Sequence, residues 1–364
     1  MLFLLLNFDQ KHSQMSNKKS RSFFDEQFRL EKINTLKDPL VKLNAIIRWE
    51  DFRPIIDTAF AITDPSKGGR PNYDRVMMFK VLIIQRIYNL SDDAAEFQIL
   101  DRMSFNRFLG LELCDNVPDS KTIWHYREQL VKGGVFDKVF DLLNAKLVQA
   151  GLVLSSGSIV DARITEVPRQ RNSRDENNQI KKGDIPEDWK DNPSKSRQKD
   201  TDASWLKKNG KNYYGYKNHI KIDTGSKLIT EYQVTPASVH DSAVLDDLLN
   251  ESDAGKTLHA DSAYSGEPCK QTIRKYGMKN KVHKKANRNK PLSNYQKKRN
   301  TEKSSVRARV EHVFAQFWVS IAGNTYLRYI GLDRIAATIG MQNIVYNLQR
   351  VCYIQTQRSL SILL

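Results

Sequence analysis

Cysteine is scarce: the 364 residues hold three, Cys114, Cys269 and Cys352. They are far apart and odd in number, and no CxxC or Cys/His cluster accompanies them. A disulfide scaffold and a cysteine–histidine zinc finger are therefore disfavoured. Long apolar runs are missing too. The one at a terminus, MLFLLLNF over Met1–Phe8, is shorter than the roughly 20 residues a bilayer crossing needs. It also lacks the basic segment and small-residue cleavage site of a signal peptide. Residues 1–14 read as an upstream extension, and the polar stretch from Met15 (MSNKKSRS) as an alternative start. With no span in sight, a cytoplasmic protein is expected. The third scarcity is acid in the second half: from Cys269 to Val310 there are 15 Lys/Arg and a single acid, Glu302.

What is present is positive charge on a foldable chain. The 58 Lys+Arg exceed the 42 Asp+Glu, for a net +16 and a pI near 9.6. A hydrophobic share of 40% excludes a mostly disordered chain. The excess is local. Residues 269–310 carry +14, residues 169–217 carry +5, and the rest is slightly acidic. A charge run is often only a solvated loop. Self-repulsion on this scale, however, favours a polyanionic partner.

Residues 20–151 read as a helical module. Tyr73–Leu90 is apolar nearly all round, the mark of a buried helix. Ser91 offers an N-cap for a helix over Ala94–Leu109, closed by Gly110. Pro118-Asp119-Ser120 starts a helix over Lys121–Val131, and Val135–Ala150 follows. The module suits either a helix-turn-helix unit, with Thr122, Trp124, His125 and Arg127 exposed, or a plain bundle for packing or dimerisation. From residue 152 the period changes. SIVDARI (158–164) is a short apolar strand with one carboxylate. Tyr216–Asp223 and Leu228–Val234 alternate about a turn, as a β-hairpin does. Short strands are expected at Lys256–Ala260 and Lys281–Lys285, with helices over Ala243–Leu249 and Glu267–Tyr276. Val306, Val310, Val313, Phe314, Phe317 and Ile321 form one helical stripe, and Leu332–Val351 is a last helix. This order predicts an α/β, RNase H-like mixed-sheet catalytic domain after an all-helical N-terminal domain. The expected boundaries are an extension or disordered segment at 1–19, the helical domain at 20–151, the catalytic domain at 152–324 and a helical segment at 325–364. Basic loops are expected at 169–211 and 286–303.

Three acids stand out in that layout. Asp161 lies inside an apolar strand, Asp261 where another strand ends, and Glu311 on the striped helix one turn after Arg307. Each has an ordinary alternative: Asp161 pairing with Arg163, Asp261 in an Asx-turn, Glu311 in an i,i+4 pair with Arg307. Together, on two neighbouring strands and the striped helix, they make the oxygen donor set that a hard divalent ion takes. Two such ions assist phosphoryl transfer by activating the attacking oxygen and stabilising the leaving one.

Residues 161–311 resemble the DDE transposases of bacterial insertion sequences, of the IS-four/IS-five superfamily. The stretch Gly69–Gly134 resembles that group's N-terminal helical domain. SIVDARI resembles its first-Asp strand, and TPASVHDSAVL (235–245) the segment before the second Asp. HADSAYSG (259–266) resembles the second-Asp motif and VRARVEHVFA (306–315) the Glu helix. The resemblance implies catalysis and metal binding by Asp161, Asp261 and Glu311, with two Mg²⁺ ions or Mn²⁺ in their place. The group's Tyr-x2-Arg-x3-Glu-x6-Lys signature is met by Arg307 and Glu311, whereas Ser304 and Trp318 stand at the Tyr and Lys positions. The implied activity is cut-and-paste transposition: cleavage at element ends, then strand transfer into target DNA. A nuclease without strand transfer and an inactive DNA-binding relative are the alternatives. Expected partners are double-stranded DNA and a second copy of the chain, near the bacterial nucleoid. Arg307, Lys284, Lys285, Lys297, Lys298, Arg299 and Arg309 are the expected DNA contacts. His240 and Tyr264 are secondary candidates, each with a structural role as the ordinary reading.

Overall fold

Capping and burial define the helical half. A computed structural model describes residues 25–358 except 37, 61–71, 113, 155–156, 168–170, 287–290, 317–326 and 328. Helices α1 (Asp25–Thr35), α2 (Pro39–Ile46) and α3 (Arg53–Asp57) lead to α4 (Arg75–Tyr88). The Asp74 carboxylate caps α4 by accepting from the Met77 amide at 2.8 Å. Ten consecutive α4 residues, Val76 to Gln85, are buried, as its all-round apolarity predicts. Ser91 Oγ accepts from Ala94 N at 3.2 Å and starts α5 (Asp92–Asp101). The single helix expected over 94–109 is two, because Arg102 turns extended (φ −107°, ψ 111°) before α6 (Met103–Leu109). Asp119 caps α7 (Ser120–Lys132), and α8 (Val135–Gln149) follows.

The second half is built on strands β1 (Gly157–Glu166), β2 (Ser204–Lys208), β3 (Lys211–Asp223), β4 (Ile229–Pro236), β5 (Thr257–Ala260) and β6 (Lys279–Asn280). The path runs β2-β3-β1-β5-β6, with β4 also on β3. Strand β1 is antiparallel to β3 and parallel to β5, and β5 is parallel to β6. That is the RNase H-like order: a three-strand meander joined to parallel strands by helical crossovers. The crossover helices are α12 (Leu245–Leu248), next to a 3₁₀ turn at Asp241–Val244, and α13 (Glu267–Lys275). Strand β6 ends earlier than the expected 281–285, although Lys281 N and His283 N still bond to Leu258 O and Ala260 O.

The described parts of both expected basic loops contain helix. Between β1 and β2 lie α9 (Arg174–Lys181), α10 (Glu187–Lys190) and α11 (Pro193–Arg197). A Ser173/Glu176 capping box starts α9, and the Trp189 indole is buried and donates to Glu176. Charge-rich composition concealed this local packing. Likewise residues 294–303 are not loop but the first turns of α14 (Asn294–Gln316), started by reciprocal bonds between Ser293 and Gln296. Positions 169–170 and 287–290 of those loops lie outside the described residues, as do residues 1–24, Phe317, Trp318 and Ile321.

Helix α15 (Leu332–Arg358) unites the halves, touching α2, α4, α7 and α8 on one side and β4 on the other. It is seven residues longer than the expected Leu332–Val351. No described helix is long and apolar enough to cross a membrane. Fully buried Asn347 accepts from Ile229 N at 2.9 Å and donates to Ile229 O at 2.8 Å. Its amide thereby satisfies the backbone at the start of β4. Asn347→Leu is expected to cost about 2 kcal/mol, because it strands both Ile229 groups. Urea unfolding checks this, and a loss below about 0.5 kcal/mol would refute it.

Candidate active site

Strand register places the first two acids. Val160 on β1 pairs in parallel with Ala260 on β5. The residue that follows each of these is an aspartate, so Asp161 on β1 and Asp261 just past β5 lie side by side where the parallel pairing ends. Asp161 Oδ1 accepts from Ala162 N at 2.9 Å. Asp261 Oδ1 accepts from Ala263 N at 2.7 Å and caps the 3₁₀ turn Ser262–Ser265. The Asp161 side chain is only 17% exposed. Burial, and then the charge of Asp261, push its carboxyl up to about 6, against the opposing pull of Arg307 and the Ala162 amide.

Helix α14 crosses β1 and β5 and supplies the third acid. It is pinned at two places by guanidinium–carbonyl bonds, Arg163 to Phe314 O and Arg309 to Thr224 O. Arg163 is thus spent on the helix and is not the partner of Asp161. Arg307 is that partner: its Nε lies 3.9 Å from Asp161 Oδ2, while its Nη2 lies 3.5 Å from Glu311 Oε1. The Glu311 side chain is 66% exposed, so the guanidinium stands between an inner carboxylate and an outer one.

The donor set fits a divalent cation in part. Asp161 and Asp261 offer adjacent hard oxygens, and the cation nearest to Asp161 is held at 3.9 Å. Among the described residues, however, no three His, Cys, Asp or Glu side chains come close enough together to hold an ion. Glu311 is turned toward Arg307 and does not complete a set with the two aspartates.

Beyond Asp261 a groove of about 840 Å³ opens, lined among others by Lys270, His283, Lys284, Lys285 and Lys303. Lys284 and Lys285 are exposed there, and Lys297, Lys298 and Arg299 are exposed on α14. Arg299 also bonds to Tyr295. His240 lines the same groove, but its Nδ1 accepts from Ser242 N at 3.2 Å and caps the Asp241–Val244 turn. Tyr264 is no surface ring. It is fully buried, with a hydroxyl that has no hydrogen-bond partner among the described residues and is held well above its ordinary pKa by burial and by Asp241, Asp161 and Asp261. A stacking role is therefore closed to it. His283 had no sequence signal, being one residue in a run of cations. The fold sets it beside Arg307 and Lys303, where burial and those charges lower its pKa.

A family model described as "Transposase DDE domain" matches residues 154–348. A second, "Transposase domain (DUF772)", matches residues 28–129. Among solved structures the chain is similar to a piggyBac transposase synaptic complex with hairpin DNA. Identity is 12%, the TM-score is 0.46, and the alignment covers 89% of this chain and 77% of that one.

Proposed function

This chain belongs to the transposase DDE domain family and is a transposase by that membership; we propose that Asp161, Asp261 and Glu311 are its catalytic and metal-binding carboxylates. The observation that carries this reading is the β1/β5 register, which sets two aspartates side by side beneath the helix bearing Arg307 and Glu311. Domains of this family use divalent ions. Here the ions are two Mg²⁺, with Mn²⁺ as substitute. When bound they supply an activated attacking oxygen and a stabilised leaving one.

The chain's own residues do the rest. Asp161 within β1 and Asp261 just past the end of β5 hold their oxygens on fixed backbone, so little reorganisation is needed as charge develops. Arg307, released from Glu311 when that carboxylate turns inward, offers its guanidinium to a non-bridging phosphate oxygen. Lys284, Lys285, Lys297, Lys298, Arg299 and Arg309 grip the DNA backbone on either side. His240 keeps the Asp241 turn in shape. The reaction is hydrolysis at an element end, which frees a 3′-hydroxyl, followed by attack of that hydroxyl on target DNA. The group is the IS-four/IS-five superfamily, and the working unit is a homodimer at the nucleoid, because two DNA ends must be held together.

DNA from either side of the gene, incubated with the protein, a plasmid target and Mg²⁺, tests this. Cut ends joined to the plasmid are expected, and Asp261→Ala should abolish both steps while DNA binding stays. Cleavage without joining would reduce the activity to that of a nuclease. Undiminished cutting by Asp261→Ala would overturn the site.

A further inference from the structure

The turn between β3 and β4 gathers three cations from three separate elements. It is stiff: Asp223 Oδ2 accepts from Gly225 N at 3.1 Å, Ser226 N at 2.7 Å and Ser226 Oγ at 2.8 Å. Lys227, in the left-handed region at φ 61°, ends the turn, and its carbonyl accepts from Tyr346 Oη at 2.9 Å. Arg309 of α14 donates to Thr224 O at 2.6 Å, and Arg350 of α15 donates through Nε to Ser226 O at 2.8 Å. Both guanidinium groups are therefore fixed beside Lys227 by bonds to the turn's own carbonyls.

Like charges held together in this way repel. Burial and then Arg350 and Arg309 lower the Lys227 pKa. None of the three cations makes an ion pair among the described residues, and the Asp223 carboxylate beneath them is committed to its turn and buried. A protein tolerates such a cluster where an anion completes it. The place is telling as well. Asp223 pairs with Ser158, three residues before Asp161 on β1, a distance of roughly 10 Å along the strand. At about 3.4 Å of duplex axis per nucleotide, that is a few nucleotides from the carboxylates.

We propose that Lys227, Arg309 and Arg350 form a phosphodiester site that holds the DNA strand as it enters the Asp161 site, on the side away from the lysine-rich groove. This rests on the transposase reading and adds Lys227 and Arg350 to the DNA interface. The tip of the turn reads one phosphate by charge and by fixed donor geometry, so it contributes affinity without sequence preference.

The test uses the full chain and a fluorescent duplex, with anisotropy measured across a salt series. Lys227→Gln combined with Arg350→Gln is expected to lower the slope of log K against log salt by about 0.9, the value for one phosphate contact. Binding should weaken alike for matched and scrambled duplexes. Lys227→Arg should keep the wild-type slope. Because only the Lys227 backbone bonds within the turn, Lys227→Gln alone disturbs none of those bonds and should show a partial drop with an unchanged melting temperature. A wild-type slope in both Gln variants overturns the proposal. Failure of the transposase reading shows separately, as wild-type protein that cuts no DNA while the slope comparison stands.

Discussion

Asp161→Asn is expected to abolish DNA cleavage, by a factor on the order of 1,000 or more, and at the same time to make the metal-free protein more stable at neutral pH. The second effect follows from burial. In the folded chain the carboxyl is raised from 3.8 to about 6, so between those values the folded state holds a proton that the unfolded chain has released. Stability therefore falls as pH rises through that window. The penalty is absent below about pH 3.8 and complete above about pH 6. A shift of about two pH units corresponds to roughly 3 kcal/mol, an upper figure for a side chain that keeps some exposure. Asparagine has nearly the same shape and no charge to desolvate. Its variant should melt higher than wild type at pH 8, and the two should converge near pH 4. Adding Mg²⁺ should raise the wild type and leave the variant unmoved. Melting curves at the two pH values, without and with Mg²⁺, check this. A variant that melts lower at pH 8 with no ion present would show that Asp161 is not a strained carboxylate.

Gly215→Ala should cost about 4 kcal/mol or more, and the chain should lose most of its soluble folded fraction. Gly215 lies on β3 where Glu166 of β1 faces it on one side and Ser204 of β2 on the other, at φ 152°. An added Cβ would sit 2.3 Å from Thr165 O and 3.0 Å from both Glu166 Cα and Val167 N. All three are backbone atoms, so relief requires parting β3 from β1. The residue also accepts from Ala237 N at 2.9 Å, which closes off movement the other way. Steric strain of this kind belongs to the short list of causes of very large losses. Because β1 carries Asp161, any folded remainder should also cleave poorly. Urea unfolding gives the first number, and a loss below about 1 kcal/mol would refute the clash.

How far each feature could be read from the chain depends on its range. Ser91 was recognisable as a cap, and Pro118-Asp119-Ser120 as a helix start, because such signals act within three residues. The all-round apolarity of Tyr73–Leu90 marked a buried helix, and the alternation at 216–223 marked a strand, although burial there does not alternate: Lys217 and Lys221 are buried too, paired with Asp241 and Asp253. The three acids were singled out by the elements expected to carry them, and the family match over 154–348 agrees with the type of domain. Misreadings came where composition was taken for structure. The charged stretch 169–211 hid the capped helix α9 and the buried Trp189 bonded to it, and 294–303 hid the start of α14, because solvated charge and an exposed helix face look alike in one dimension.

The amino-acid sequence alone was enough to establish the transposase resemblance, the helical-then-mixed-sheet order and the address of the positive charge, all of which depend on local pattern and residue type. The fold had to supply the rest. Arg307 meeting Asp161, Tyr264 buried within reach of the Asp161 charge, Gly215 against Thr165, and Lys227 beside Arg309 and Arg350 join residues some 50 to more than 140 positions apart. Periodicity carries no information at that separation. Which side chains meet is settled by strand register and helix docking, and these depend on the packing free energy of the whole core.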